Sequence, residues 1–427
     1  MEMKTNISFE SQVDNWVGEA VTNGARSLDE IICALPGVYP TVAAASVIRL
    51  KLQQFIEPAF GGRMSTTTPN RNRNSASSFS NEHQLPTPHP LDFDWRFTAR
   101  TANCVTQICR SLGKRLLCLG TPSVFVRAKK HGLFKSTQLV DNNAEMVRHL
   151  RVNYSGVVKH DISRSALPKI LPADVVAMDP PWYLQDLQEF AWVASKMCVT
   201  GGFIVACLPA EGTRPNVKDE LCTFLRNTKA YGFSLYLQKP NVLRYQTPPF
   251  EQNALNAAGI EVRSDWRSGT LWILRKEHGH NLPRPYRQSI QDDQWWESSI
   301  LGTRIRFKKL AQLCFDDPTL TPIIDGNVLM SVSRRNRMRE FVDVWTSGNR
   351  VFACRGTDVL HQIATAIKLK QDVHSFIQHQ FEVSLDKRQR ESIDNAAAQI
   401  KRIAILESKE RGVSNCVGQG WVGCSHK

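Results

Sequence analysis

Apolar positions along the middle of this chain change period repeatedly, between short unbroken runs and helical spacing. Arg115-Leu-Leu-Cys-Leu-Gly120 is an apolar run closed by a glycine, too short for a helix and suited to a buried strand. Further runs predict strands at Gln138–Asp141, Val157–Val158 (ending near Asp161), Asp174–Met178, Phe203–Leu208, Phe233–Leu237 and Thr270–Leu274. Helical spacing lies between them. Met146, Val147 and Leu150 follow the second strand, and Leu187, Phe190, Ala194 and Met197 follow the fourth until Thr200-Gly201-Gly202 breaks the pattern. Residues 98–112 read as a leading helix. Strands alternating with helices predict an α/β domain over 89–276, a parallel sheet with right-handed crossovers.

The flanks read differently. Ser27 is placed to cap a helix carrying Leu28, Ile31, Ile32 and Leu35, with Glu30 at the capping-box position. Pro36-Gly37 ends it, and a second helix is expected from Thr41 through Ile56, with Arg49 and Lys51 near its exposed side. Residues 1–58 therefore resemble a helix-turn-helix or winged-helix-like module, which contacts either nucleic acid or a protein partner. Residues 59–88 are rich in Ser, Thr, Asn and Arg and read as a flexible linker. His89 to Phe97, with three aromatics in its second half, suggests a segment laid against the next domain.

A basic C-terminal region, 277–427, is expected to be mixed and helix-rich. Arg304, Arg306, Lys308 and Lys309 form one cluster and Arg334, Arg335, Arg337 and Arg339 another; each is either a phosphate track or a solvated face. Trp345 to Asn349 reads as a turn-rich aromatic loop. Ile393, Ala396, Ile400 and Ile403 mark one side of a long charged helix, and Gly412–Lys427 reads as a frayed tail.

Charge sharpens this picture. The formal net charge is +14 with a pI near 9.4, which favours a polyanionic partner such as DNA or RNA. No signal peptide and no membrane-spanning apolar run is found, so a cytoplasmic protein without a membrane partner is expected. The 11 cysteines include no Cys-x-x-Cys pair, and Cys118, Cys198 and Cys207 sit in apolar runs. They read as core thiols in a reducing compartment, with no zinc site.

The chemistry concentrates at strand ends, where open α/β sheets bind ligands. Gly120 closes the first strand and Asp141 the second, about 20 residues on, where an acidic side chain holds a ribose diol. Asp161 closes the third and Asp179 the fourth. Asp179-Pro180-Pro181-Trp182 then joins a carboxylate, a stiff loop and a flat indole, a set that grips a planar amine. The lip Ala210–Arg214 follows the fifth strand. The long stretch Lys239–Gly269 carries Tyr245, Phe250, Glu251, Trp266 and Arg267. It suits either stacking and phosphate contact or a lid packed on itself.

Asp179-Pro-Pro-Trp182 resembles the signature of amino-group methyltransferases, above all those acting on N6 of adenine. The resemblance covers about 180 residues. It implies the Rossmann-like seven-stranded class I methyltransferase fold, whose last strand is antiparallel, and S-adenosylmethionine as cofactor. It also implies that Asp179 and the Pro180 carbonyl hold the amine while Trp182 stacks on the base. Asp161 would approach the cofactor's adenine, and Gly120 and Thr121 would form the first turn. Gly120-Thr-Pro-Ser123 departs from a glycine-rich loop.

Two further readings stand beside this one. An N-terminal helical module before an Asp-Pro-Pro-aromatic domain also resembles the branched-chain polyamine synthases, which transfer an aminopropyl group; there an acidic loop stands where this chain has Gly120–Ser123. Protein lysine methyltransferases share the loop type. A catalytically inactive nucleic-acid-binding subunit is the non-enzymatic alternative.

Overall fold

Amphipathic segments capped by short polar side chains build the first part of the chain. In the computed structural model, which describes residues 8–55, 85–163, 166–263, 265–286, 295–309 and 315–412, Ser8 caps α1 (Phe9–Thr22), which buries Val13, Val17 and Ala20. Ser27 caps α2 (Leu28–Ala34) by accepting from Glu30 N at 3.2 Å. The Glu30 carboxylate returns to Arg26 N at 2.7 Å, one residue before the cap, so the expected capping box is offset. α3 (Pro40–Arg49) starts on a proline that needs no amide partner. It ends well before Ile56, because Lys51 turns to a positive φ of 54°. Among described residues 8–55 no strand supplies a wing, and α1 makes this a three-helix module. Arg49 pairs with Asp14 at 2.7 Å rather than standing clear on an open helix face.

The chain forms two units. The first comprises Met1–Pro86, Trp95–Thr247 and Ala258–Ser289; the second comprises Thr87–Asp94, Pro248–Ala257 and Ile290–Lys427. Most of the stretch read as a linker, 59–84, lies outside the described residues, as do Ile56 and 413–427 of the tail.

In the first unit α4 (Ala99–Leu112) leads into an alternating series. It runs β1 (Arg115–Leu119), α5 (Pro122–Lys130), β2 (Ser136–Asp141), α6 (Ala144–Arg151), β3 (Val157–Lys159), β4 (Ala173–Met178), α7 (Leu184–Met197), β5 (Cys198–Pro209), α8 (Val217–Ala230) and β6 (Phe233–Arg244). The next helix, α9 (Pro249–Ala257), belongs to the second unit, and β7 (Ser268–Lys276) completes the sheet. The strand order is β3-β2-β1-β4-β5-β7-β6, with β7 antiparallel to both neighbours as expected. β6 runs on to Arg244 through two register shifts, so the expected lid starts at Tyr245 rather than Lys239.

Both sheet faces are covered, so the strands read as continuous apolar runs. Leu116, Cys118, Val175 and Val205 face one core with Val105 and Phe125; Leu117, Leu119, Val176 and Ile204 face another with Leu187 and Phe224. Cys118 and Cys198 are core thiols, each pushed up to about 12 by burial.

The second unit is built on an antiparallel sheet ordered β10-β12-β11-β9-β8. Its strands are β8 (Trp295–Ile300), β9 (Thr303–Lys308), β10 (Thr319–Pro322), β11 (Val344–Thr346) and β12 (Val351–Arg355), followed by α10 (Thr357–Leu369), α11 (Val373–Phe381) and α12 (Lys387–Glu410). Ile393, Ala396 and Ile400 of α12 join Phe307, Phe352, Leu360 and Ile363 in the core, as their spacing predicts.

The basic clusters change meaning here. Arg304 is buried at 2% exposure between Asp92 (2.7 Å) and Glu297 (2.8 Å), and Arg306 pairs with the same two carboxylates. A buried cation is tolerated because it is paired, so neither arginine is a phosphate contact. The Trp345 loop is also internal: Trp345 Nε1 donates to Asn349 Oδ1 at 3.0 Å, and both residues are buried.

Candidate active site

Four strand ends meet in one row, tied by backbone hydrogen bonds from strand to strand. His160 N donates to Asp141 O (3.0 Å), Gly120 N to Val140 O (3.0 Å), and Asp179 N to Leu119 O (3.2 Å). The carboxyl ends of β3, β2, β1 and β4 thereby present Asp161, Asp141, Gly120 and Asp179 side by side. The carboxylates at the ends of β2 and β3 are half-buried and shaped by their own loops. Asp141 Oδ1 accepts from Asn143 N at 2.8 Å, and Asp161 Oδ1 accepts from Ser163 N at 2.9 Å.

The first turn is tight for a physical reason. Gly120 adopts φ +63°, and a Cβ there would lie 3.3 Å from Asp179 O and 3.4 Å from the Phe190 ring. Thr121 is buried at the head of α5, with Pro122 at the first helical position. A proline needs no amide partner at a helix start, so this loop forms without a second glycine.

At the end of β4, Asp179 meets a partner that its own loop does not supply. The Tyr245 hydroxyl donates to Asp179 Oδ1 at 2.9 Å. Tyr245 is buried, edge-on to Trp182 with centroids 5.3 Å apart and tilted against Phe97 at 4.8 Å. Burial first, then the adjacent Asp179 charge, pushes its hydroxyl well above the ordinary tyrosine range, so it stays a donor. Pro180 is buried, while Pro181 and Trp182 are half-buried. Gly269 of β7 leaves room for this set: a Cβ would stand 3.1 Å from Trp182 Cζ2 and 3.2 Å from Tyr245 Cε2.

Arg267 closes one side, its guanidinium 4.9 Å from the Trp266 ring, 5.0 Å from Trp95 and 5.8 Å from Trp182. Trp266 itself is buried and edge-on to Tyr39 at 5.6 Å, so it supports Arg267 and offers no open face. Phe250 and Glu251 lie fully buried in α9, within the second unit, whose Asn253 donates to Gly348 O and Glu410. Of the second basic cluster, Arg334 lies 3.8 Å over Phe93 and Arg339 4.5 Å over Trp345, while Arg335 and Arg337 are exposed.

The N-terminal module shapes the rim. Gly212 N, in the lip after β5, donates to Pro36 O at 2.8 Å, and Arg263 N donates to Asp29 Oδ1 at 2.8 Å. Gly37 is as close: a Cβ there would be 2.8 Å from Ala210 Cβ and 3.3 Å from Ser268 O. The turn between α2 and α3 is packed on two loops of its own unit. The readable sign was Gly212 in the lip, a position with no room for a side chain; nothing local marked Tyr245 as the partner of Asp179.

A seven-stranded sheet of this order, helices on both faces, is the Rossmann-like methyltransferase fold. Among solved structures the chain is similar to a variant branched-chain polyamine synthase from Thermus thermophilus, in complex with N4-aminopropylspermidine and 5'-methylthioadenosine. That likeness has a TM-score of 0.50 at 15% identity, covering 66% of this chain and 92% of that one. A structure of the synthase itself from the same organism gives 0.48 at 15%, covering 64% and 89%. An N-methyltransferase from Bradyrhizobium japonicum, in complex with S-adenosyl-L-homocysteine, gives 0.29 at 11%, covering 42% and 87%. At these identities the likeness concerns the fold. No protein-family profile and no curated protein sequence matches the chain. No helix among the described residues is long and apolar enough to cross a membrane.

Proposed function

We propose that this chain transfers a methyl group from S-adenosylmethionine to an exocyclic amine, with N6 of adenine in DNA or RNA as the acceptor. The observation that carries the reading is Asp179, a carboxylate at the end of β4 with Tyr245 bound to one oxygen and Trp182 beside it. The residues present fit the cofactor. Gly120 keeps the first turn free of a side chain, Asp141 offers a carboxylate to a ribose diol, and Asp161 lies one strand further along the row. When bound, that cofactor supplies an electrophilic methyl on a sulfonium.

The chain's own residues position and polarise. Asp179 and the Pro180 carbonyl accept the amine hydrogens, which raises electron density on nitrogen and aims its lone pair. The N–C bond would form as the methyl carbon–sulfur bond breaks and its electron pair passes to sulfur; positive charge then grows on nitrogen next to a fixed carboxylate, and the surplus proton leaves to solvent afterwards. Alignment and preorganised electrostatics do most of the work. Trp182 offers a stacking face to the base, which a duplex would have to flip out. Net charge +14 and the exposed Arg335 and Arg337 favour a polyanionic acceptor.

Aminopropyl transfer to a polyamine is the second reading, favoured by a likeness covering 92% of a synthase chain. Against it stand Gly120–Ser123, without a carboxylate, and a guanidinium 5.8 Å from the Trp182 ring, both unsuited to a polycation. The deciding experiment offers methyl-labelled S-adenosylmethionine, and separately its decarboxylated form labelled in the aminopropyl group, to DNA, RNA, protein and polyamines. Methyl label on adenine N6 is expected. Aminopropyl label on polyamine alone would replace the first reading with the second.

A further inference from the structure

The wall opposite the Asp-Pro-Pro-Trp loop contains a residue that touches both functional side chains at once. Tyr245 follows β6 directly and is fixed from two sides. Its amide donates to Arg267 O at 3.1 Å, and it bridges antiparallel to Phe97, with Thr98 N donating to Arg244 O (3.0 Å) and Gln246 N to Arg96 O (2.8 Å). The ring is thus held by backbone from the β7 side and from the segment ahead of α4. Three aromatic or glycine neighbours, Phe97, Trp182 and Gly269, leave it one position. From there the hydroxyl reaches Asp179 Oδ1 at 2.9 Å while the ring edge braces the Trp182 indole.

A carboxylate on two single bonds rotates unless something holds it, and a rotated carboxylate misaligns the amine it should hold. We propose that Tyr245 is a positioning residue of this site: its hydroxyl helps to fix the Asp179 carboxylate in the orientation that meets the acceptor amine, and its ring sets the Trp182 face at a right angle. The proposal rests on the amine-transfer reading and deepens it. Tyr245 acts through Asp179 and Trp182 and is itself too buried to stack on a base. Two functions follow from one side chain, and they separate chemically. Tyr245→Phe removes the hydroxyl and keeps the brace; Tyr245→Leu removes both.

The test uses the full chain, S-adenosylmethionine and whichever acceptor takes label in the experiment above. Tyr245→Phe should lower kcat about ten- to a hundredfold, the loss of one hydrogen bond to a charged group, with acceptor KM and S-adenosylhomocysteine affinity unchanged. Tyr245→Leu should also raise acceptor KM, because the Trp182 face is no longer set. In an Asp179→Ala background, Tyr245→Phe should cost nothing further, since the hydroxyl works only through that carboxylate. If Asp179→Ala is inactive while Tyr245→Phe turns over like wild type, Tyr245 is core filling and the proposal fails. If Asp179→Ala itself keeps full activity, the amine-holding reading fails first. A measurement that needs no turnover judges the contact alone: ultraviolet difference titration of Asp179→Asn should show one tyrosine ionising at lower pH than in wild type. An unchanged titration overturns the pairing.

Discussion

Gly212→Ala tests whether the N-terminal helices are packed into the unit that holds the seven-stranded sheet or form a separate module. A Cβ at Gly212 would lie 2.7 Å from Val38 Cγ2, 2.8 Å from Pro36 O and 3.1 Å from Trp16 Cζ3. Two of these are closer than real contacts permit, and Pro36 O is backbone, which cannot swing aside. It is also the acceptor of the Gly212 amide, so relieving the clash stretches that bond. Overpacking costs about 1–3 kcal/mol, and a weakened hydrogen bond adds about 0.5–1.5 kcal/mol. A large domain loses about 2–4 °C in Tm per kcal/mol, so the fall should be on the order of 3–18 °C. Gly18→Ala is the control of opposite sign. It lies inside α1 with nothing near its Cβ, so it should stabilise by about 0.5–1 kcal/mol. Scanning calorimetry of the full chain reads both. A Gly212→Ala protein melting with wild type would mean that the α2–α3 turn is not packed on the lip.

Four further outcomes are expected. Asp141→Ala should weaken S-adenosylhomocysteine binding roughly ten- to a hundredfold by calorimetry, for loss of a charged hydrogen-bond partner worth about 1.5–3 kcal/mol. Arg335→Ala with Arg337→Ala should reduce the log–log salt slope of duplex binding by about two, and an identical slope would make these arginines a solvated surface. His361 is lowered to about 4 by burial and then by Lys309 and Lys368, so the folded chain resists protonation that the unfolded chain accepts below about 6.5. Stability should therefore fall as pH drops from about 6.5 to 4, by up to about 1.4 kcal/mol per pH unit from this residue, and His361→Gln should flatten that slope in urea titrations. Trp182→Phe should keep most transfer activity while Trp182→Leu loses it in both KM and kcat, because base stacking is worth about 1–3 kcal/mol; equal activity would make the indole core filling.

What the sequence yields and what it withholds divide along one physical line. Strand runs, helix faces and the residues closing each strand are local properties, so Gly120, Asp141, Asp161 and Asp179 could be placed in order before any coordinates. Tyr245 could not be assigned its role that way. Its contact with Asp179 depends on how far β6 extends and where β7 begins, a register carrying two shifts that no composition rule fixes. Trp266 looked the same as Trp182 on paper, an indole beside an arginine, until packing against Tyr39 removed its face. The helix α9 shows the same limit. The stretch Lys239–Gly269 reads as one connection, and neither this helix nor the unit it serves is marked in it.

Charge follows the same logic and changes the functional argument most. A net +14 counts every arginine equally, yet Arg304 and Arg306 neutralise Asp92 and Glu297, and Arg350 neutralises Glu407 and Glu410. These three arginines meet four carboxylates, so setting them all aside shifts the net number by only one. What changes is location. Charge paired in the second unit's interior cannot meet a polyanion, whereas Arg335 and Arg337 are exposed. A polyanion that bound this chain would respond to exposed charge and not to the total. The salt slope of the Arg335 and Arg337 variants therefore measures the relevant quantity, where the pI does not.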